Sequence, residues 1–467
     1  MTKRSWNIDS LALIFSFIVL AQLLTYVVPQ GEFDTEISTD GQNHEMVIAG
    51  TYERVTEEQE VTLPPWHLLI AISNGLEAAQ GVIFLIFIVG GVIELLRRSG
   101  AIDAALHRSV KSLGHSPWIL IGGCLLMFSI GSFTIGLGEE YVPLVPIIVT
   151  MSLAMRMDAV VAMGMVWIPY GVGWGCAGIN PFGVLIAQGI AGVTPTSGWM
   201  FRAAIMVVFL ALCFHHLYRY AMRVQRDPST SLVADVDYSK GFEAPEDIRL
   251  TGRRIIVLLV FVAALGYFVY GAATYGWYIL ELNALFLGIG LVAAIFTGLS
   301  PGETSRTFLE GAAKMAAPAL IVGFARTISI VLADGQIIDT IINGIAGTLE
   351  GLPADVSAVG MLVVQSVTNF FIPSGTGQAY VTMPIMSPLA TLTGVPQQTA
   401  VLAFQFGDGF TNMIVPTSPL VMGGLALAKV PYTAWVRFVG PLLIKIMALA
   451  VVFLIVSVHF GDVLGLY

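Results

Sequence analysis

The chain has 467 residues, 56% of them hydrophobic and only 11% charged, with a mean hydropathy of +0.81. A soluble domain carries roughly 25% charged residues, so this chain has too little polar surface to solvate a globule and too many apolar residues to be disordered or fibrous. Apolar runs recur from Leu11 to Val458, which only an integral membrane protein built from helices accommodates. Cys124, Cys176 and Cys213 lie inside apolar stretches without metal-type spacing and read as small core residues.

Leu11–Val28 is an apolar run of 18 residues behind Lys3 and Arg4. It ends at Val27-Val28-Pro29 with no small-x-small exit, which predicts an uncleaved first span instead of a signal peptide. Pro29–Trp66 holds nine acids and one base, Arg54, and belongs outside. A span at 81–98 returns to Arg97 and Arg98. A helical hairpin is predicted at 117–155, a broken span at 159–191 and a returning span at 199–218. The linker Arg219–Arg254 then carries seven bases. Spans near 254–272, 278–298 and 313–333 lead to a second hairpin at 354–392, a broken span at 396–428 and a last span at 433–458. This path puts 18 of the 22 Lys and Arg residues in the cytoplasm, with the N-terminus. Arg54 and Arg202 fall outside, and Arg326 and Lys445 fall within spans.

Two stretches superimpose at a shift of 236 to 238 residues. Ala101-Ile102-Asp103 matches Ile337-Ile338-Asp339, and Pro117 matches Pro353. Phe133, Ile135 and Gly138 match Phe370, Ile372 and Gly375, and Pro146 and Pro181 match Pro384 and Pro419. The divisions are a first span at 1–28, a polar loop at 29–66, repeat one at 67–218, a linker with a connecting span at 219–277, and repeat two at 278–467. Each repeat reads as a span, a short amphipathic segment, a hairpin with a Gly-rich tip, and a span broken by glycine and a polar residue. The two hairpins enter from opposite faces, so the repeats are inverted.

Non-helical backbone at membrane depth survives only where protein buries it or a watery cavity wets it. Helix N-termini at such breaks attract an anionic group, and freed carbonyls and side-chain oxygens attract a cation. Glycines that merely allow close helix packing are the plainer explanation for any single position; four Gly-rich interruptions at repeat-related places favour a transport site. The hairpins and broken spans hold no Lys or Arg, and their deep acids are Glu139, Glu140 and Asp408. Each costs about 3 kcal/mol or more unless compensated, by a bound Na⁺, a proton, a cationic part of the substrate or a helix N-terminus. Arg326, also at depth, is expected to pair with Glu281 or Glu94.

Gly136-Leu137-Gly138-Glu139-Glu140, Ile179-Asn180-Pro181-Phe182, Ser374-Gly375-Thr376-Gly377-Gln378-Ala379 and Ala403-Phe404-Gln405-Phe406-Gly407-Asp408-Gly409-Phe410 together resemble the YfcC-type branch of the DcuC-like carriers. These C4-dicarboxylate anaerobic carrier-like proteins belong to the ion transporter superfamily. The resemblance covers nearly the whole chain and implies an elevator-type homodimer with a scaffold and a mobile transport domain. Dicarboxylate members of the superfamily hold substrate and Na⁺ with Ser-Asn-Thr motifs at both tips. Here tip one has Gly138-Glu139-Glu140 and tip two has Ser374-Gly375-Thr376. That departure, and the basic amino acid antiporter label common among YfcC-type proteins, puts an amino acid ahead of a C4-dicarboxylate or another organic acid.

The expected protein is therefore a secondary transporter of the bacterial inner membrane, coupled to Na⁺ or H⁺ or acting by exchange. It is no enzyme, needs no other cofactor and binds no nucleic acid; its surroundings are lipid and a small-molecule substrate. Thr376, Gly377 and Gln378, with Asn180, are the candidates for the substrate's carboxylate, and Ser374, Gly375 and Thr417 are further substrate-binding candidates. Glu139, Glu140 and Asp408, with Asn412, are candidates for its amine or the cation, and Glu139, Asp408, Asn412 and Thr376 for Na⁺. An intramembrane enzyme would need a nucleophile–base pair at depth, whereas His67, His107, His115 and His459 sit near span ends. A channel would differ from a carrier by lacking counterflow. The charge tally generates a topology test: single cysteines at Ser38 and Ser229, in a background without Cys124, Cys176 and Cys213, should label from opposite faces of intact cells. Labelling of both from one side would overturn the path.

Overall fold

The computed structural model describes residues 10–461 apart from 38–44, 49, 57, 59, 102–103, 105–115, 135, 181, 239–250, 276, 278 and 350. Most of the amphipathic stretch after Ala101, with His107 and His115, lies outside the described residues, as does the middle of the basic linker. Six helices are long and apolar enough to cross a membrane singly: Gln80–Arg98, Pro117–Thr134, Trp199–Arg226, Ile279–Thr297, Ala354–Phe371 and Tyr432–Phe460. A seventh arises if Ala319–Asp334 and Ile338–Gly344, bent by 75° at their junction, count as one.

In chain order the helices are α1 Ser10–Leu24, α2 His67–Ala78, α3 Gln80–Arg98, α4 Pro117–Thr134, α5 Val145–Ala154, α6 Ala159–Gly175, α7 Val184–Ile190, α8 Trp199–Arg226 and α9 Gly252–Tyr275. The second half adds α10 Ile279–Thr297, α11 Pro301–Ala313, α12 Ala316–Asp334, α13 Ile338–Gly347, α14 Ala354–Phe371, α15 Gly375–Thr393, α16 Gln397–Thr411, α17 Pro419–Leu427 and α18 Tyr432–Phe460. Three features differ from the sequence expectation. The polar segment after α1 is not all loop, and the fold is not wholly helical: Gly31–Glu32 pairs with Glu53–Arg54, and Thr35–Ile37 with Glu45–Val47, both antiparallel. This small β element rests on α13, with the amide of Phe33 donating to Asp339 at 3.2 Å and the Tyr52 hydroxyl 2.9 Å from that of Thr340. Second, α2 and α11 precede the spans α3 and α12 as separate helices. Ser300 starts α11 with a capping box: its hydroxyl accepts from the Glu303 amide, and the Glu303 carboxylate accepts from the Ser300 amide at 2.9 Å. The Ser300 hydroxyl also donates to that carboxylate at 2.7 Å, and this bond, with the one from the Ser300 amide, holds the Glu303 carboxyl below its ordinary pKa. Third, α8 continues through Arg219 and Arg223 to Arg226, where basic residues suit the negative end of a helix.

Packing follows the glycines. Helix α3 lies on α11 where Gly90 meets Gly311, and α2 lies on α12 where Gly75 faces Gly323 and Thr327. Two ion pairs tie the same four helices, Lys314–Glu94 and His67–Asp334, each at 2.8 Å. In the other layer α4 and α5 pack on α6, and α14 and α15 pack on α16. Helices α6 and α16 then cross in close contact: a Cβ at Gly409 would run into the backbone of Gly175, and one at Gly171 would meet the Met413 side chain and the Gly409 carbonyl. Asp158 caps α6, accepting from the Val161 amide at 2.9 Å, and also accepts from Tyr220 at 2.6 Å and Ser231 at 2.7 Å.

The crossing predicts a contrast between two glycines. Gly409→Ala should lower thermal stability in detergent by overpacking, on the order of 1–3 kcal/mol or more. Gly288→Ala, at a helical position with open space around it, should leave stability unchanged or raise it slightly.

Candidate functional site

The tips and breaks meet around a cavity of about 340 Å³, near the lower end of the roughly 300–1,000 Å³ range of small-molecule sites. Gly136 and Glu139 line it from the first tip, and Pro373, Ser374, Gly375 and Thr376 from the second. Tyr170 and Trp174 come from α6, Phe182 from the break behind it, and Asn412, Pro419 and Leu420 from the second break. Ala78, Ala79, Gly81, Val82, Ile279 and Arg326 complete the lining.

Local sequence explains how backbone can leave the helices here. Gly136 has φ +81°, a conformation that only glycine adopts freely, and a Cβ there would collide with Asn180 and Phe182. Asn180 is fully buried and holds the first break together: it donates to the Ser132 carbonyl at 3.2 Å and accepts from the Phe182 amide at 2.8 Å. Trp174 donates to the Leu137 carbonyl at 3.2 Å, and Gln405 to that of Ala177 at 2.8 Å. The Thr376 hydroxyl donates to the Phe182 carbonyl at 2.7 Å, docking tip two on break one. Behind the second break, Trp435 donates to the Met413 carbonyl at 2.8 Å and Tyr432 to that of Ile414 at 2.7 Å.

The three acids have different settings. Glu139 lies on the cavity wall. Glu140 accepts from the Gly138 amide at 2.7 Å and caps its own short 3₁₀ turn, Glu139–Leu144. Asp408 is 2% exposed; one carboxylate oxygen accepts from Asn412 at 3.0 Å, and the other lies against Gly375 in the first turn of α15. That helix start, capped by Ser374, supplies partial positive charge. Beside it the Asn369 amide nitrogen faces three acceptors: the Asp408 carbonyl at 3.0 Å, the Thr411 hydroxyl at 2.7 Å and the Asn412 side chain at 3.0 Å. The spot is richer in oxygen than two amide hydrogens can satisfy.

Of the residues expected from sequence, Glu139, Ser374, Gly375, Thr376 and Asn412 share the cavity. Asn180, Gly377, Gln378 and Thr417 lie behind its wall. Gln378 is buried and donates to the Gln365 side chain at 2.7 Å, and the buried Thr417 hydroxyl has no hydrogen-bond partner. Tyr170, Phe182 and Arg326 join the site without having been assigned to it. Neither pairing expected of Arg326, with Glu281 or with Glu94, forms among the described residues, and Lys314 takes Glu94. A bare guanidinium at membrane depth costs about 3 kcal/mol or more. Among the described residues, no group of three His, Cys, Asp or Glu side chains could hold a metal ion. Thr376→Val removes the bond between the tip and the break, and should cost about 1 kcal/mol of stability without ligand, read as a lower melting temperature.

Against known proteins, the model of the C4-dicarboxylate anaerobic carrier family, DcuC, matches residues 9–459. YfcC of Escherichia coli, provisionally named a basic amino acid antiporter, is 32% identical over 476 residues, covering 94% of each chain. An uncharacterized protein of Haemophilus influenzae is 29% identical over 511 residues, covering 99% of each. Two solved transporters align at a TM-score of 0.42. The YdaH transporter of Alcanivorax borkumensis is 15% identical, covering 98% of this chain and 100% of that one. MtrF of Neisseria gonorrhoeae, described with a class of antimetabolite efflux pumps, is 18% identical, covering 97% and 95%. The chain is a multi-pass membrane protein and belongs to the DcuC family of carriers, on its YfcC-type branch.

Proposed function

We propose that this protein is a secondary transporter of a small carboxylate-bearing metabolite, an amino acid and a basic one first, across the bacterial inner membrane with its N-terminus in the cytoplasm. The observation that carries the reading is the single cavity at which both tips and both broken helices arrive, with Glu139 open to it. In this reading α2–α8 and α10–α18 are two inverted copies, and the packing of α3 on α11 and of α2 on α12 is part of the contact between them. The hairpins and broken helices travel together as the mobile part of an elevator, in a homodimer.

Glu139 takes the substrate's amine or the coupling cation. The oxygen-rich spot of Asp408, Asn412, Asn369 and Thr411 suits the coupling Na⁺ or H⁺, compensated when empty by the start of α15. The family description favours a C4-dicarboxylate as the second reading. A carboxylate on the cavity wall weighs against it, since a dianion would face a like charge.

Glu139→Gln and Asp408→Asn should abolish ion-driven accumulation of the transported amino acid in proteoliposomes, while the protein still inserts and folds. Both amides relieve burial of a charge, so the melting temperature without ligand should hold or rise. Full uptake with ordinary ion dependence in both variants would reject the site. Counterflow in the wild type, with none expected of a channel, checks the carrier mechanism itself.

A further inference from the structure

Two charged side chains line the cavity, and they come from different parts of the fold. Glu139 belongs to the first tip. Arg326 belongs to α12, which packs against α1, α2, α3 and α17 and is no part of either hairpin. Its backbone is fixed where it stands. Helix α12 crosses α2 at Gly323 and Thr327, the first pressed against Leu76 and the second against Gly75, and Arg326 lies between them in sequence. The guanidinium therefore has a defined origin on the cavity wall.

Among the described residues Arg326 makes no hydrogen bond or ion pair, and so none with Glu139. Glu94 and Asp334 on the neighbouring helices pair with Lys314 and His67 instead. An arginine presents five donors in a planar fork that matches a carboxylate. Burying one unpaired is unfavourable, so its place on a ligand-sized cavity calls for an anionic group supplied from outside the chain.

We infer that Arg326 receives the carboxylate of the substrate while Glu139 receives its amine, so that the cavity selects a zwitterion. This rests on the transporter reading above and narrows it to zwitterionic amino acids. A dicarboxylate would satisfy Arg326 and set its second charge against Glu139. A diamine would satisfy Glu139 and leave Arg326 bare beside another cation. Only a ligand bearing both charges neutralises both walls. Ser374, Thr376 and Asn412 offer neutral polar groups between them.

The test uses the purified full-length protein and its melting temperature in the presence of the common amino acids, succinate, cadaverine and agmatine. The wild type should be stabilised by one or more amino acids, and not by succinate or by the diamines, which are lysine and arginine without their carboxylates. Arg326→Gln should keep or raise its melting temperature without ligand. It should bind the responding amino acid about 30-fold or more weaker, as expected for one partner lost from a charge pair. Arg326→Lys keeps the charge without the fork and should fall between; if Arg326→Gln does not fold, unchanged affinity in Arg326→Lys overturns the assignment. An amino acid bound equally by wild type and Arg326→Gln removes Arg326 from the site and leaves the transporter reading intact. A wild type that answers to succinate alone overturns the zwitterion. No response in the wild type to any of these compounds overturns the proposed substrate class and this inference with it.

Discussion

Backbone that leaves a helix inside a membrane finds no water to bond with, and each orphaned carbonyl or amide there costs several kcal/mol. This chain leaves its helices at four places around the cavity, and a set of polar side chains answers that cost. Asn180, Trp174, Gln405 and Thr376 serve the first tip and break; Asn369, Trp435 and Tyr432 serve the second. Their amides, indoles and hydroxyls turn to carbonyls of the same or a neighbouring element. The conformation of the site is thereby set before any ligand arrives, which is the arrangement that limits the entropy lost on binding.

Once those groups are spent on backbone, few polar groups remain for chemistry. The cavity keeps Glu139, Arg326, Ser374, Thr376 and Asn412 among walls of Tyr170, Trp174, Phe182 and Leu420. A largely apolar lining with a few convergent polar groups is how small-molecule sites combine exclusion of water with orientation. Asp408 sits one layer back, held by Asn412 and the start of α15. Its coupling to the cavity runs through Gly375, where any side chain would press on its carboxylate.

The interruptions were legible in the sequence because glycine, proline and polar residues stand out inside apolar runs. Residues 136–138 and 372–374 fall between helices, while Glu139 and Gly375 open the elements that follow. Which polar residue at an interruption faces a ligand and which repairs the backbone was not legible. Asn180 and Gln378 look as suitable for a carboxylate as Ser374 does, and only the crossing of distant helices turns them inward to Ser132 and Gln365. Arg326 was visible as a charge at depth, but its role hinged on Glu94 already being taken by Lys314, 220 residues away in the chain. The β element at 31–54 was hidden by its acids, since paired strands so short give no periodicity to read.

The close crossing of α6 and α16 bears on leakage. Gly409 lies on the backbone of Gly175, and the Met413 and Phe410 side chains pack on Gly171 and Gly175 beside that contact, so the seam between the two broken helices is closely filled. In the coupled transporter proposed above, protons or ions slipping past a bound solute would dissipate the driving gradient. With this seam closely packed, the flank that remains to be guarded is the cavity lining at 78–79, 81–82 and Arg326. A positive charge stationed on that flank repels stray cations, and the tightness of the protein to ions would then reside as much in a glycine contact as in the groups that hold the solute.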